Sequence, residues 1–221
     1  MKRFIIIPAA GIGQRFGNAV PKQFAELNGK PVLMHTLERF AFTNEKIILV
    51  LNPSYIRYWQ NLCDKLSFKV PHTIVEGGKT RTDSVKNGLT IIKDDGIVAI
   101  HDAVRPLVSR TLIEKIFAEA EKTGNAIPAI EMQHSLRKIE AEKNFAVDRK
   151  EYKIIQTPQC FDVRKLKAAY ENLSAGEFTD DASVYESSGE KINLVEGEFT
   201  NIKITEAHDL LVAEALIRTL Q

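Results

Sequence analysis

The residues best suited to chemistry follow the first apolar run of the chain. The segment Pro8–Gly17 reads Pro-Ala-Ala-Gly-Ile-Gly-Gln-Arg-Phe-Gly, directly after a strand predicted at Phe4–Ile7. Small residues let a backbone approach a ligand closely, and successive amides can cradle phosphate oxygens. Arg15 and Lys22 add two cations at the rim of this glycine loop. The pattern predicts a phosphate site; the alternative is that both cations are ordinary solvated surface charges.

Two common phosphate-binding motifs do not account for the loop. A dinucleotide fingerprint requires a third glycine at the position where this chain has Phe16. A P-loop built around Gly78-Lys79-Thr80 would require glycine at the position of Thr73. The sequence therefore excludes both motifs.

An acidic residue follows another predicted strand, Val98–Ile100. The segment His101-Asp102-Ala103-Val104-Arg105-Pro106 puts an aspartate at the carboxyl end of that strand. Mg²⁺ usually takes one or two carboxylates and completes its coordination with phosphates and water. Asp102 is therefore a candidate magnesium ligand, with two local alternatives: it caps the following turn or pairs with Arg105. We expect His101 to be structural.

Two further segments contain polar side chains next to apolar ones. Gly77–Ser84 follows a predicted strand and opens a helix, where a loop can hydrogen-bond the edge of a base. Lys203 lies within Asn201–Thr205, in a predicted strand that is otherwise apolar. The alternative for a lone lysine in such a strand is that it reaches out to solvent.

The elements that position these groups alternate β-branched runs with amphipathic stretches. Such alternation predicts an α/β fold with a mostly parallel sheet, in which ligands gather beyond the carboxyl ends of the strands. The predicted strands are Phe4–Ile7, Ile47–Leu51, Lys69–Val75, Val98–Ile100, Ala126–Ile130, Lys153–Gln156, Ile192–Val195 and Asn201–Ile204. The predicted helices are Val32–Phe40, Tyr55–Leu66, Ser84–Ile92, Leu112–Glu121, Val163–Asn172, Asp180–Ser188 and a last helix that ends at about Thr219.

The alternation breaks after Ile130. Ser135–Ile139 and Phe145–Asp148 read as two short strands on either side of Glu140–Asn144, a predicted hairpin. We refer to residues 134–151 as the hairpin arm. The pattern alone modestly favours a solvated excursion over a dimer contact. The sequence shows no repeat or linker, so residues 1–221 are predicted to form one domain that includes this arm.

Bulk properties exclude several partners. The chain has 221 residues and a formal net charge of +1, which gives no overall attraction to nucleic acid or to an anionic membrane. The first apolar run ends at Pro8, too short for a signal peptide, and no later run could span a bilayer. Cys63 and Cys160 have no metal-binding spacing and indicate a reducing compartment. We expect a cytoplasmic protein.

Taken together, the motifs resemble the 2-C-methyl-D-erythritol 4-phosphate cytidylyltransferase family of the non-mevalonate route to isoprenoids. The matching segments occur in order across nearly the whole chain. They are Pro8-Ala9-Ala10-Gly11-x-Gly13-x-Arg15, Pro21-Lys22-Gln23-Phe24, Gly77-Gly78-x-x-Arg81-x-x-Ser84-Val85, His101–Pro106, Val147-Asp148-Arg149, Gln156-Thr157-Pro158-Gln159, Phe178-Thr179-Asp180-Asp181-Ala182 and Asn201–Thr205.

The resemblance implies a fold, a reaction and an assembly. The fold would be a single Rossmann-like α/β/α domain with a projecting β-hairpin arm. The reaction would join CTP to 2-C-methyl-D-erythritol 4-phosphate, giving 4-diphosphocytidyl-2-C-methyl-D-erythritol and pyrophosphate, with Mg²⁺ or another divalent cation. The assembly would be a homodimer whose arms exchange between subunits.

The resemblance also implies roles for individual residues. The catalytic residues would be Arg15, Lys22 and Lys203. The nucleotide-binding residues would be Ala9, Ala10, Gly11, Gly13, Gly78, Arg81, Ser84 and Ala103. The residues that bind the polyol phosphate would be Asp102, Arg105, Ser135, Arg149, Thr179 and Lys203, with Asp102 also holding the metal and Arg149 reaching into the partner's site.

One departure and two rival functions accompany this interpretation. His134-Ser135 stands where the family usually has Asp-Thr, so Ser135 keeps a hydroxyl but the acid is lost. The nearest rival function is that of a ribitol-5-phosphate cytidylyltransferase, which the segments around Arg149 and Thr179 disfavour. The other rival is a catalytically silent CTP-binding sensor, in which substituted cations would be expected.

Overall fold

The structure, a computed structural model, describes residues 1–11, 21–42, 45–173 and 178–219. Gly13 and Arg15, two of the predicted site residues, lie outside this part of the chain. Within it, every helix is too short or too polar to cross a bilayer.

Strands and helices alternate through the first part of the chain. In order, they are β1 (Arg3–Ala9), β2 (Glu26–Leu27), β3 (Lys30–Pro31), α1 (Val32–Glu38), β4 (Lys46–Leu51), α2 (Pro53–Lys65), β5 (Thr73–Glu76), α3 (Arg81–Thr90), β6 (Ile97–Ile100), α4 (Arg110–Thr123) and β7 (Asn125–Glu131). The second part contains β8 (Leu136–Glu140), β9 (Lys143–Val147), β10 (Lys153–Ile155), β11 (Gln159–Asp162), α5 (Val163–Glu171), α6 (Asp181–Ser187), β12 (Leu194–Glu196) and α7 (Ala207–Thr219).

The main sheet has the strand order β10-β7-β11-β6-β1-β4-β5, and β12 also pairs with β7. β1 is parallel to β4 and β6, and β4 is parallel to β5. β11 and β10 run antiparallel to their neighbours. The mostly parallel α/β architecture is therefore confirmed, and its parallel strands bring their carboxyl ends to one edge.

Alternating side chains of the strands form two apolar layers. On β1, Ile5 and Ile7 join a layer that contains Trp59 of α2, whereas Phe4 and Ile6 join the opposite layer. All four β1 side chains are at most 6% exposed. Both faces of the sheet are covered by helices, which explains why its central strands are apolar along their whole length.

One strand prediction was wrong, and one strand of the main sheet was not predicted. Asn201–Ile204 forms no strand; its backbone instead contacts the turn after β6, where the amide of Ile204 donates to the carbonyl of Val104 at 2.9 Å. β11 was not predicted, because it is short and begins with the polar Gln159 next to Pro158. Gln159 is buried there because it donates to the Asp180 carboxylate at 2.8 Å and accepts from the Ala182 amide at 2.9 Å.

Candidate active site

The predicted site residues converge at the edge of the sheet where β1, β5 and β6 end. Two adjoining cavities open there, with volumes of about 210 and 860 Å³. Arg81, Asp102 and Lys203 line both cavities and form the boundary between them. We call these two cavities and their lining the strand-edge site.

The loop after β1 touches the loop after β5. A Cβ atom added to Gly77 would lie 2.3 Å from the Cβ of Ala10, and one added to Gly78 would lie 2.2 Å from the Cβ of Asp83. Both positions therefore exclude a side chain. The Ser84 hydroxyl fixes the second loop, since it accepts from the Gly78 amide at 3.1 Å and donates to the Thr80 carbonyl at 2.8 Å.

Lys22 is held beside the glycine loop by its neighbour Gln23. The buried amide of Gln23 donates to the carbonyls of Ala9 and Gly11, at 2.8 and 2.9 Å. Phe24 anchors the same 3₁₀ turn against aromatic side chains of α2, including Tyr58. This anchoring explains how a lysine from a separate segment comes to line the smaller cavity.

Asp102 lies among three cations. Its Oδ2 atom is 3.0 Å from Lys203 Nζ and 3.2 Å from Arg105 Nε, and its Oδ1 atom is 3.9 Å from Arg81 Nη2. Burial alone would raise the pKa of Asp102, but Lys203, Arg81 and Arg105 outweigh it and hold this pKa well below its usual range. The carboxylate is therefore ionised at neutral pH, and its ion pair with Arg105 is one of the two local alternatives that the sequence left open beside metal binding.

A hydrogen-bond chain fixes the turn that presents Asp102. Thr157 Oγ1 accepts from the Asp102 amide at 3.0 Å and lies 3.2 Å from His101 Nδ1. Because Nδ1 then accepts the hydroxyl proton, His101 Nε2 carries the hydrogen donated to the Arg105 carbonyl at 3.1 Å. Burial lowers the pKa of His101 to about 4, so the ring is neutral at pH 7, in keeping with the structural role expected for it.

The structure brings most, but not all, of the predicted residues together. The smaller cavity is lined by Ala9, Ala10, Gly11, Lys22, Gly78, Arg81, Ser84, Asp102, Ala103 and Lys203. Arg105 and Thr179 line the larger cavity. Ser135 and Arg149 line neither.

Ser135 and Arg149 belong to the hairpin arm, where the predicted hairpin is confirmed. β8 and β9 pair antiparallel from Leu136 opposite Val147 to Glu140 opposite Lys143. Arg149 is exposed, and its Nη1 donates to the Gln133 carbonyl at 2.6 Å. Within one chain the arm therefore adds no side chain to the strand-edge site.

Several polar residues that support the site carried no role in the sequence interpretation. The buried Asn201 donates to the Thr157 carbonyl at 2.8 Å, and its own carbonyl accepts from Arg105 Nη1 at 2.8 Å. Gln156 exchanges hydrogen bonds with the Glu198 backbone in the same loop. The available signal was the polar run Gln156–Gln159 within an otherwise apolar context, which indicates buried polar groups that need partners.

An α/β sheet with glycine-containing loops, cations and a carboxylate at its strand ends is suited to binding a phosphate-bearing ligand. The profile of the 2-C-methyl-D-erythritol 4-phosphate cytidylyltransferase family matches residues 4–219. The chain belongs to this family, and it is an enzyme of the nucleotidyltransferase class.

Curated relatives and solved structures agree with this assignment. The chain is 46% identical over 219 residues to 2-C-methyl-D-erythritol 4-phosphate cytidylyltransferase of Phocaeicola vulgatus, covering 98% of this chain and 100% of the relative. It is 47% identical to the same enzyme of Bacteroides fragilis, with the same coverage. Its fold is similar to the crystal structure of 4-diphosphocytidyl-2C-methyl-D-erythritol synthase from Anaerococcus prevotii, with a TM-score of 0.84, 30% identity and 98% coverage of both chains.

Proposed function

We propose that the chain joins CTP to 2-C-methyl-D-erythritol 4-phosphate, giving 4-diphosphocytidyl-2-C-methyl-D-erythritol and pyrophosphate in non-mevalonate isoprenoid synthesis. The observation that supports this most is the convergence of Arg81, Arg105 and Lys203 on Asp102, where two cavities adjoin. Such a boundary suits two anionic substrates that must meet. Family membership supplies the identity of both substrates, because the described geometry alone specifies neither the base nor the polyol.

The reaction needs charge stabilisation more than proton transfer. A phosphate oxygen of the acceptor attacks the α-phosphorus of CTP in line, and the bond between the α-phosphorus and the oxygen bridging to the β-phosphorus breaks. A phosphate monoester has its second pKa near ~6, so the nucleophile is already largely dianionic at pH 7. No general base is required, and catalysis is positioning plus electrostatic stabilisation.

The cations divide this work between the two cavities. Lys22 lines the smaller cavity beside the glycine loop, where it would stabilise the triphosphate and the departing pyrophosphate. Arg15 would assist it from the same loop. Lys203 lines both cavities and would neutralise the reacting phosphates as they approach each other. Arg105 and Thr179 line the larger cavity and would bind the acceptor.

The nucleoside would be bound by the two glycine-containing loops. Ala10, Gly78 and Ala103 line the smaller cavity without bulky side chains. A base lying against Gly78 would contact backbone groups whose conformation Ser84 fixes. Such a pocket discriminates against a wrong base when that base leaves buried polar groups of the pocket without hydrogen-bond partners.

The residues fit a magnesium ion bound mainly through substrate phosphates. Asp102 Oδ2 is engaged by Lys203 and Arg105, but Oδ1 lies 3.9 Å from Arg81, beyond hydrogen-bond distance. In the described part of the chain no group of three or more His, Cys, Asp or Glu side chains could hold a metal alone. Asp102 would therefore hold Mg²⁺ through one oxygen. When bound, the ion would supply positive charge to the phosphate oxygens.

The hairpin arm would complete the acceptor end of the site in a homodimer. Ser135 and Arg149 line neither cavity of their own chain, whereas the family resemblance assigns both to acceptor binding. Exposed Ile139 and Phe145 on the arm offer apolar surface for a second copy. The same proposal includes a cytoplasmic location, where both substrates would be soluble.

The test is pyrophosphate release from CTP and Mg²⁺, with 2-C-methyl-D-erythritol 4-phosphate, ribitol 5-phosphate or no acceptor in parallel reactions. We expect fast release with the branched erythritol phosphate only. Release with ribitol 5-phosphate only would keep the chemistry and overturn the pathway. Binding of CTP without release under any of the three conditions would contradict the proposed catalysis and favour a sensor.

A further inference from the structure

A buried hydrogen-bonded network lies behind the strand-edge site. Asp181, at the start of α6, accepts from Arg81 Nη2 at 2.6 Å through Oδ2 and from the Tyr170 hydroxyl at 2.6 Å through Oδ1. Asp181 is 0% exposed and Tyr170 is 2% exposed. The network joins the first residue of α3 to α5 and α6.

An aspartate in this position is costly without partners. Removing a carboxylate from water is unfavourable unless other groups replace its hydration, and both oxygens of Asp181 have such partners. Burial alone would lower the pKa of Arg81, but the charge and hydrogen bond of Asp181 raise it. The guanidinium therefore stays charged. The ion pair between Arg81 and Asp181 explains why the network is stable. It does not explain why the network lies next to Asp102.

The distances around Arg81 supply that second reason. Its Nη2 atom lies 2.6 Å from Asp181 but 3.9 Å from Asp102 Oδ1. A guanidinium lying between two carboxylates is attracted to both, and here the buried one holds it at hydrogen-bond distance. If Asp181 were neutral, nothing comparable in this network would keep Arg81 from closing onto Asp102.

We propose that Asp181 is a positioning residue for the transfer reaction. With Tyr170, it holds Arg81 away from Asp102 Oδ1 and so leaves that oxygen accessible to a divalent cation bound with the reacting phosphates. This inference rests on the proposed function. Asp181 touches neither substrate in this account, since it acts through Arg81. Arg81 accordingly has two tasks: it lends positive charge to the site and leaves one carboxylate oxygen accessible.

The experiment compares kcat, the KM for each substrate and the equilibrium affinity for CTP across a set of variants. Asp181→Asn removes the charge and keeps the shape, and Tyr170→Phe removes one hydrogen bond. Tyr185→Phe is the matched control: this tyrosine is buried on α6, and its hydroxyl has no hydrogen-bond partner of good geometry in the described residues, although Asn125 is near enough to affect its pKa. Thermal unfolding checks that each variant folds.

We expect Asp181→Asn to lower kcat roughly 10- to 100-fold, the range typical of residues that orient a catalytic group. CTP affinity should change much less, Tyr170→Phe should show a smaller loss of kcat, and Tyr185→Phe should match the wild type. A double-mutant cycle provides the decisive comparison. In an Arg81→Met background, Asp181→Asn should cause no further loss of kcat and should raise the melting temperature, because it removes an unpaired buried carboxylate.

Additive losses of kcat in the cycle, or equal kcat for Tyr170→Phe and Tyr185→Phe, would overturn the inference. So would a folded Asp181→Asn variant with wild-type kcat. Wild-type turnover separates these results from a failure of the proposed function. If the wild type forms no product, the proposed function fails, and the inference about the transfer fails with it. If the wild type is active, the variants test the inference alone.

Discussion

The strand-edge site and the hairpin arm are both polar regions, but they are tied to the rest of the chain in different ways. Asp102 is hydrogen-bonded to Thr157 and Lys203, from segments far apart in sequence, and lies in the field of Arg81 at 3.9 Å. The arm pairs with itself, β8 against β9, and most of its side chains are exposed. Within the described residues, the first region forms a charged cavity in one chain. In the hairpin arm, the predicted functional residues Ser135 and Arg149 line neither cavity of their own chain.

This contrast separates what one chain provides from what a dimer would add. A polar side chain that is hydrogen-bonded by several elements is held in place by the fold of one chain. Its removal should therefore lower activity whether or not the chain dimerises. An arm whose strands pair with each other, away from the cavities, would gain a role in the reaction only if a second copy binds it. The predictions below change one region at a time.

The largest effect is expected from Lys22→Ala in the strand-edge site. Removing one preorganised cation from a phosphate-transfer site costs roughly 10²–10³ in rate, so turnover should fall by about that factor. The control is Lys86→Ala, an exposed lysine of α3 that lines neither cavity of the site. Steady-state pyrophosphate release measures both variants, and near-equal turnover of the two would remove Lys22 from the mechanism.

A smaller loss is expected from Arg149→Ala on the arm. Losing a hydrogen bond to a charged group should reduce kcat/KM for the acceptor roughly 10- to 100-fold and leave CTP binding unchanged. Mixing this variant with Lys22→Ala then tests the dimer. Random exchange of subunits would make half of the dimers mixed, each with one intact site, and recover about a quarter of wild-type activity. No recovery after verified subunit exchange would show that Arg149 does not act across the interface.

The hydrogen-bond chain behind Asp102 should make stability depend on pH. The pKa of His101 is lowered from 6.5 to about 4 by burial. Between these values the unfolded chain binds more protons than the folded one, so stability falls as pH falls. From pH 7 to pH 5 we expect a loss of about 2 kcal/mol in the free energy of unfolding.

Urea unfolding of the wild type and of His101→Asn at both pH values measures this effect. The variant should lose about 2 kcal/mol of the difference between pH 7 and pH 5 and keep the part due to His35, whose pKa burial also lowers. His208→Asn, at an exposed histidine of α7, is the control and should keep it. The low pKa of Asp102 does not interfere, since it affects stability only below about 3.8. An unchanged pH dependence in His101→Asn would contradict the neutral, buried ring.

The smallest effect is expected from Phe145→Ala on the arm. Phe145 is 48% exposed, so at a dilution that favours single chains the free energy of unfolding should change by no more than about 0.5 kcal/mol. Phe117→Ala in the core is the comparison and should cost about 3–5 kcal/mol. At higher concentration, Phe145→Ala should weaken self-association, which sedimentation measures. Unchanged association would exclude this face of the arm from the dimer contact.

The sequence predicted β1, β4 and β6 well because each is a short apolar run buried on both faces. β5 is only partly buried, and it begins at Thr73 rather than at the predicted Lys69. It also predicted that Lys22 and Asp102 lie near the strand ends, because loops after parallel strands meet at one edge. For Lys203 only the family resemblance indicated a place in the same site. It did not predict β11, whose buried Gln159 needs Asp180 and Ala182 as partners. Nor could it place Lys203 in a loop, since Asn201–Ile204 has the composition of a strand. Both features depend on contacts between segments that are distant in sequence, and a local sequence pattern carries no information about such contacts.

The measurement that tests the account most directly is phosphorus NMR of the wild-type enzyme with CTP, Mg²⁺ and 2-C-methyl-D-erythritol 4-phosphate, followed to completion. Direct transfer at the strand-edge site predicts that the CTP and monoester signals decline together. In their place should appear one free pyrophosphate and two coupled phosphorus signals of a new diphosphate diester, in equal amounts. Formation of CDP with inorganic phosphate, or of CMP with pyrophosphate while the monoester persists, would show hydrolysis and contradict the account.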